Sequence, residues 1–196
     1  MNPRNVLLLP GWRNSGADHW QSRWQALHGY IRVEQHDWDR PLRGDWQIQL
    51  EEAVLAAPPG PVVLVAHSLG CALVAAWASH SRQAHRVQAA LLVAPPDTSQ
   101  DGLRGPLPTW HPLVRQPLPF GPGRSMVLAS DDDPYCSPEL AQALARDWGA
   151  GFALYAGLGH INADSGLGDW PQGHAVLERL LALAGTGAEP GPGAEA

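Results

Sequence analysis

The chain has 196 residues, a length that favours one domain with an ample core over two. Hydrophobic residues make up 44% and charged residues 16%, which excludes a disordered chain and a coiled coil. The formal net charge is −6 and no basic run occurs, so neither a nucleic-acid groove nor a surface for anionic membranes is expected. A small or neutral substrate is the expected partner, and nothing in the composition identifies a protein partner.

Only two cysteines occur, Cys71 and Cys136, which excludes a disulfide framework and provides no metal-type spacing. We therefore expect a cytoplasmic protein without a metal or another cofactor. The first apolar run, from Val6 to Leu9, is too short for a signal peptide or a membrane helix, so no membrane span is expected.

Short apolar runs alternate with helical patterns along the chain, which is typical of an α/β fold with a mostly parallel sheet. The runs at 62–66 and 89–94 are almost continuously apolar, as expected for strands buried on both faces. In chain order the predicted elements are strand 5–10, helix 17–30, strand 32–38, helix 45–57, strand 61–67, an alanine-rich helix, strand 87–95, strand 124–130, helix 137–149 and strand 152–157.

Two stretches depart from this alternation. Residues 96–122 are rich in proline and lack a long periodic segment, which predicts an irregular excursion over the edge of the sheet, where loops carry specificity. The tail at 185–196 has the composition of a disordered segment. The sequence therefore predicts a single domain over 1–184.

One polar pair, His67 and Ser68, lies where an apolar strand gives way to a helix. The sequence "AHSLG" fits the nucleophile-elbow pattern G-x-S-x-G, with Ala66 at the first glycine position. The small residues Ala66 and Gly70 leave room for a serine hydroxyl held above the sheet on a tight turn. Ser68 could instead be a plain helix cap, so its catalytic role depends on finding a base and a carboxylate. His67 should diverge from Ser68 at such a turn, which favours a structural role for it.

A carboxylate and a base follow later predicted strands. Asp131, Asp132 and Asp133 come after the strand at 124–130, and His160 follows the last strand. Both places lie at the carboxyl edge of the sheet, where open α/β sheets hold their sites. The order serine, aspartate, histidine is that of α/β-hydrolases. The sequence thus predicts a minimal α/β-hydrolase fold of about six mostly parallel strands, with helices on both faces in three layers.

Backbone N–H groups that stabilise an oxyanion are expected in two places. One is Leu69, directly after the nucleophile, and the other is Trp12 in the loop after the first strand. The substrate pocket is expected to include Trp12 and Leu69 together with Trp110 and Tyr135.

The motifs "PGW", "AHSLG", "DDPYCS" and "GHINADSGLGDWPQG" resemble the small α/β-hydrolase family that includes the retinoblastoma-binding serine hydrolases and bacterial relatives. The similarity extends from the first strand to about Leu183. It implies that Ser68 is the nucleophile, that His160 is the base, and that the acid is Asp133, directly before the proline. It implies esterase activity, with amide or aminoacyl ester cleavage in some members. Retinoblastoma binding does not carry over, because the pentapeptide L-x-C-x-E is missing from this sequence.

The leading hypothesis is therefore a serine hydrolase that cleaves esters through an acyl-enzyme intermediate. The alternative from another class is a binding protein on a hydrolase scaffold, whose partner would contact the excursion at 96–122. Perhydrolase or haloperoxidase chemistry on the same three residues is a further alternative that the sequence leaves open.

Overall fold

The structure, a computed structural model, describes residues 1–185, so all but the first residue of the predicted disordered tail lies outside the described residues. Within that part of the chain, parallel strands form one sheet in the order β2-β1-β3-β4-β5-β6. The strands are β1 Val6–Leu9, β2 Ile31–Arg32, β3 Val62–His67, β4 Val87–Val93, β5 Ser125–Ser130 and β6 Gly151–Tyr155. The helices are α1 Trp20–His28, α2 Arg43–Ala56, α3 Leu69–Ala78, α4 Asp101–Arg104, α5 Pro138–Asp147 and α6 Pro171–Gly185.

The sheet is buried on both faces, which explains the nearly continuous apolar runs of its central strands. In β3, Leu64 and Ala66 pack in the cluster formed with α2, α3 and α5. Val63 and Val65 point to the opposite face and pack with α1 and α6. This alternation gives three layers, and the predicted three-layer α/β fold is confirmed.

The strand order places a topological switch point between β1 and β3. The chain leaves β1 toward β2 on one side and then builds β3 to β6 on the other side. The loops that follow β1 and β3 therefore diverge and leave a crevice at the carboxyl edge, where ligands bind in open α/β sheets.

Strand β2 is much shorter than the predicted strand at 32–38. It pairs only with β1, through Leu7 with Ile31 and Leu8 with Arg32. The chain then turns, because the Asp37 carboxylate accepts hydrogen bonds from the amides of Asp39 and Arg40. Such a local carboxylate-to-amide turn competes with strand pairing.

The excursion at 96–122 is irregular except for the short helix α4, and its Leu103, Leu107 and Trp110 are buried. Helix α6, which the sequence pattern did not single out, covers one face of the sheet together with α1. No helix within residues 1–185 has the length and apolar character needed to cross a membrane.

Candidate active site

Ser68 lies on a sharp turn between β3 and α3. Its backbone has φ 52° and ψ −122°, outside the regions that most residues adopt, and its amide donates to the carbonyl of Val93 at 2.9 Å. The turn can be this tight only because Gly70 is small, since a Cβ there would lie 2.3 Å from the carbonyl oxygen of Leu9. Gly11 has the same constraint: an added Cβ would lie 2.7 Å from Cβ of Ser68.

His160 lies between the serine and a carboxylate. Its Nε2 is 2.8 Å from Oγ of Ser68, and its Nδ1 is 2.9 and 3.0 Å from the two carboxylate oxygens of Asp133. An ionised carboxylate only accepts hydrogen bonds, so the proton is on Nδ1 and the Nε2 lone pair faces the serine hydroxyl. The side chains of Asp133 and His160 are 2% and 10% exposed. This arrangement can take a proton from Ser68 and stabilise the resulting imidazolium.

The two preceding aspartates hold the loop that carries His160. The Asp132 carboxylate accepts from Oγ of Ser130 and from the amide of Gly159, both at 2.7 Å. The hydrogen bond from Ser130 is the main reason that the pKa of Asp132 is lowered. Asp131 accepts from the amide of Gly157 at 2.8 Å. Both side chains lie in an exposed turn, and they connect that turn to the segment before His160.

Two buried aromatic side chains fix the backbone at His160 and Ile161. The imidazole of His67 lies 2.9 Å from the carbonyl oxygen of His160 through Nε2, and because a carbonyl only accepts, Nε2 carries the proton. Burial is the largest cause of a pKa of His67 well below its usual range, so this ring stays neutral. The indole of Trp20 in α1 donates to the carbonyl of Ile161 at 2.8 Å.

Trp12 and Leu69, the two residues expected to provide the oxyanion N–H groups, line the same cavity as Ser68. Leu69 is the first residue of α3, and amides in the first turn of a helix have no partner within it. In the loop after β1, the amide of Arg13 donates to the carbonyl of Trp38, and that of Asn14 donates to Gly11. The amide of Trp12, the residue before Arg13, makes no turn hydrogen bond of this kind within residues 1–185.

Side chains that the sequence pattern did not indicate hold this loop in place. Arg32 donates from Nη1 to the carbonyl of Ser15 at 2.8 Å. Gln21, fully buried, donates to the carbonyls of Leu9 and Val65 and accepts from Oγ of Ser15 at 2.9 Å. One glutamine therefore joins β1 and β3 to the loop that follows β1, which periodicity alone cannot reveal.

A cavity of about 250 Å³ opens beside Ser68. Its apolar wall comes partly from the excursion, through Leu103 and Leu107, while Tyr135 lies with its ring 4.6 Å from that of His160. Trp12 and Leu69 line the cavity as expected. The lining also includes Arg13, Asn14, His19 and Pro96.

The structure places Trp110 elsewhere than predicted. It is 1% exposed, packs edge-on against Trp46 at 5.3 Å, and donates from its indole to the carbonyl of Pro41 at 2.9 Å. It is not among the residues that line the cavity. A large ring with its one donor satisfied is more stable in the core, and the smaller leucines of the excursion contact the cavity instead.

Neither cysteine offers a competing nucleophile. Cys71 and Cys136 are free and buried. Burial raises the pKa of Cys136 to about 12 and that of Cys71 far above its usual range, so neither thiol ionises near neutral pH. Within residues 1–185 no group of three or more His, Cys, Asp or Glu side chains is placed to hold a metal ion.

Similar solved structures include several hydrolases. A YdeN-like hydrolase from Pectobacterium atrosepticum is 26% identical, with a TM-score of 0.76 and 91% of each chain covered. The ydeN gene product of Bacillus subtilis is 21% identical with a TM-score of 0.72, covering 90% of this chain and 98% of that one. A thermophilic esterase from Thermogutta terrifontis is 16% identical, with a TM-score of 0.60 and coverage of 91% and 90%. The last two show a shared fold.

No curated protein matches the sequence. The family model described as "Serine hydrolase" matches residues 6–179, a span that contains the nucleophile turn, all three aspartates and the loop of His160. With this match over most of its length, the chain belongs to the serine hydrolase family.

Proposed function

We propose that the protein is a serine hydrolase that cleaves a carboxylic ester of a small substrate through an acyl-enzyme. The observation that carries the proposal is the unbroken hydrogen-bonded series from the Asp133 carboxylate through His160 to Oγ of Ser68, with every distance between 2.8 and 3.0 Å. Ser68 and His160 line the cavity, and Ser68 lies on the strained turn between β3 and α3.

The reaction begins when Oγ of Ser68 attacks the ester carbonyl carbon. Nε2 of His160 takes the hydroxyl proton, and the carbonyl π electrons move to the oxygen, giving a tetrahedral oxyanion. Collapse of the oxyanion re-forms the carbonyl and breaks the ester C–O bond, and His160 returns its proton to the leaving alkoxide. Water then repeats the cycle on the acyl-enzyme and releases the acid. Asp133 keeps Nδ1 protonated and stabilises the imidazolium.

The developing negative charge needs donors that are already in place. The amides of Trp12 and Leu69 are the donors in this proposal. Two observations support them. The amide of Leu69 lies in the first turn of α3, where it has no partner within the helix. The amide of Trp12 makes no turn hydrogen bond within residues 1–185 and lies on a loop that other contacts hold in place. Removing one such donor typically costs about 10²- to 10³-fold in kcat.

Esters are the proposed substrates because they need no strong protonation of the leaving group. The Thermogutta esterase, whose fold is similar, is consistent with this class. Cleavage of amides or aminoacyl esters, and perhydrolysis, would use the same three residues. Their rates are therefore compared with the rate of ester hydrolysis in the assay. A cytoplasmic location belongs to the proposal as well, supported by two unpaired, buried cysteines.

A fluorophosphonate probe tests the proposal directly, because it reacts only with an activated serine. We expect stoichiometric labelling at Ser68 in the wild type and none in Ser68→Ala, together with hydrolysis of short 4-nitrophenyl esters that EDTA leaves unchanged. Folded wild-type protein that neither reacts with the probe nor cleaves an ester would instead support the non-catalytic binding protein.

A further inference from the structure

The polar part of the cavity lining includes hydrogen-bond donors that have no acceptor among the described residues. Arg13 is exposed, and its guanidinium lies 4.4 Å from the centre of the Trp12 ring. It belongs to none of the ion pairs within residues 1–185. It is also the only residue lining the cavity with a permanent charge.

Asn14 adds a second donor. Its Oδ1 accepts from the amide of Ser15 at 2.7 Å and from Nη1 of Arg32 at 2.8 Å, which fixes the orientation of the side-chain amide. The other end of the amide, Nδ2, therefore carries two N–H groups, and neither has an acceptor among the described residues.

His19 lines the same cavity, but its ring nitrogens are buried. Nδ1 accepts from the amide of Gln21 at 3.1 Å, so the ring proton is on Nε2. Burial, with a smaller contribution from Arg32, lowers the pKa of His19 to about 3, so the ring is neutral. Nε2 has no hydrogen-bond partner within residues 1–185 and almost no accessible surface, so a ligand oxygen does not reach it in this structure. Arg13 and Asn14 are therefore the two donors that face a ligand.

The backbone that carries these donors is strained. Arg13 and Asn14 have φ of 67° and 65°, in the left-handed region where residues with a Cβ are disfavoured. Such strain persists only where surrounding contacts enforce it, and it is concentrated at ligand-binding sites. Here Arg32 supplies the enforcing contacts, through its hydrogen bonds to Asn14 and to the carbonyl of Ser15.

The cavity also has an apolar part to its lining, which includes Pro96, Leu103 and Leu107. A ligand that satisfies both parts of the lining has an apolar part and one group rich in acceptor oxygens. A single guanidinium in a protein of net charge −6 matches a monoanion better than a dianion such as phosphate. The cavity of about 250 Å³ is below the range of about 300–1,000 Å³ for drug-sized ligands, which indicates a short molecule.

We propose that the natural substrate is a short ester that also carries a carboxylate, bound by the donors of Arg13 and Asn14 while its apolar part packs against Leu103 and Leu107. The inference rests on the proposed function, because the same cavity contains Ser68. The carboxylate can belong to the acyl half or to the alcohol half, and the two cases give different substrates.

Matched esters separate these cases. For the acyl half, mono(4-nitrophenyl) glutarate is compared with its methyl ester, which lacks the charge. For the alcohol half, 4-acetoxybenzoate is compared with methyl 4-acetoxybenzoate. We expect kcat/KM to favour the charged member of one pair by about tenfold or more, because charge-assisted hydrogen bonds are roughly twice as strong as neutral ones.

The variant Arg13→Gln should reduce that preference about tenfold, and Arg4→Gln is the control. Arg4 is exposed in the turn before β1, at the opposite edge of the sheet, and its removal changes the net charge equally. Equal kcat/KM for both members of both pairs, or an equal loss of preference in the two variants, would overturn the inference while leaving the proposed hydrolase intact.

Binding to the inactive Ser68→Ala protein gives a readout that does not depend on turnover. Titration with monomethyl glutarate and with 4-hydroxybenzoate, both of which are monoanions at neutral pH, should show saturable binding of at least one of them that Arg13→Gln weakens and Arg4→Gln does not. If no ester is cleaved but this binding is present, the hydrolase proposal fails and the carboxylate site stands. If neither acid binds, the carboxylate site is refuted whatever the esterase assay shows.

Discussion

His67, the residue before the nucleophile, is hydrogen-bonded to the backbone of the base: its Nε2 donates to the carbonyl of His160 across 2.9 Å. The turn that exposes Ser68 therefore also determines where His160 lies. His67 is itself in edge contact with His19, whose ring centre is 4.7 Å away. Both rings are buried and neutral, because burial lowers the pKa of each. Stability should consequently depend on pH through these two histidines.

Acidification should destabilise the protein below about pH 6.5. In the unfolded chain each of these histidines binds a proton near pH 6.5, whereas in the folded protein His19 does so only near 3. The unfolded state thus holds more protons between these values, and stability falls by up to about 1.4 kcal/mol per pH unit for each histidine. The variant His19→Asn keeps an acceptor for the helix cap and removes one titrating group.

Urea unfolding midpoints from pH 7.5 to 5 measure this effect. The wild type should lose stability steeply, and His19→Asn should flatten the slope. His85→Asn, at an exposed position, is the control that should leave the slope as it is. A slope that is the same in all three proteins would show that His19 takes up no proton on unfolding.

The backbone strain at Ser68 predicts a conflict between stability and activity. At φ 52° and ψ −122° a glycine is less strained than any residue with a Cβ. We expect Ser68→Gly to be more stable than Ser68→Ala by about 1 kcal/mol, with both variants inactive. Urea unfolding of the two variants side by side tests this, and a more stable alanine variant would contradict the strain.

Asp133 and Asp132 should differ sharply in their effect on catalysis. Asn at position 133 can favour the wrong tautomer of His160, so kcat should fall by about 10²- to 10⁴-fold. Asn at position 132 keeps an oxygen for Ser130 and Gly159, and we expect a loss of less than about tenfold. Steady-state kinetics on one ester decide the matter, and a comparable loss in both variants would refute the assignment of the acid.

Gly11 should tolerate no side chain, because a new Cβ would press on Cβ of Ser68 at 2.7 Å and approach its Oγ at 3.2 Å. We expect Gly11→Ala to lower kcat by about 10²-fold, the cost of displacing a reacting group by roughly 1 Å. Gly16→Ala in the same loop meets nothing within 4 Å and should stay within about threefold of the wild type. Fluorophosphonate labelling rates give the same comparison independently of substrate binding.

Much of the architecture follows from local signals in the sequence. The continuous apolar runs of β3 and β4 correctly indicate a sheet buried on both faces, and the small residues around Ser68 fit the turn that the structure shows. The chain order alone brings His160 and an aspartate to one edge, because parallel strands end together. The three-residue aspartate run by itself leaves the acid ambiguous. The family resemblance implies Asp133, and in the folded loop this is the aspartate whose carboxylate lies beside Nδ1 of His160.

The errors and omissions concern contacts between residues distant in sequence. Trp110 is an aromatic residue in a loop near the expected site, and nothing in its neighbours shows that its indole donates to Pro41 in the core. The hydrogen bonds of Gln21 and Arg32 join segments that only the sheet brings together. The sequence likewise did not show that β2 ends after two residues, before the turn at Asp37.

The hydrogen bond from Trp20 to the carbonyl of Ile161 spans 141 residues of sequence. During synthesis, the segment that contains Ser68 and the oxyanion loop emerges from the ribosome long before His160 does. A nascent chain that stops after β6 has the nucleophile but no base, and α1 has no partner for its indole. The hydroxyl of Ser68 thus has no base beside it until the last part of the domain has docked.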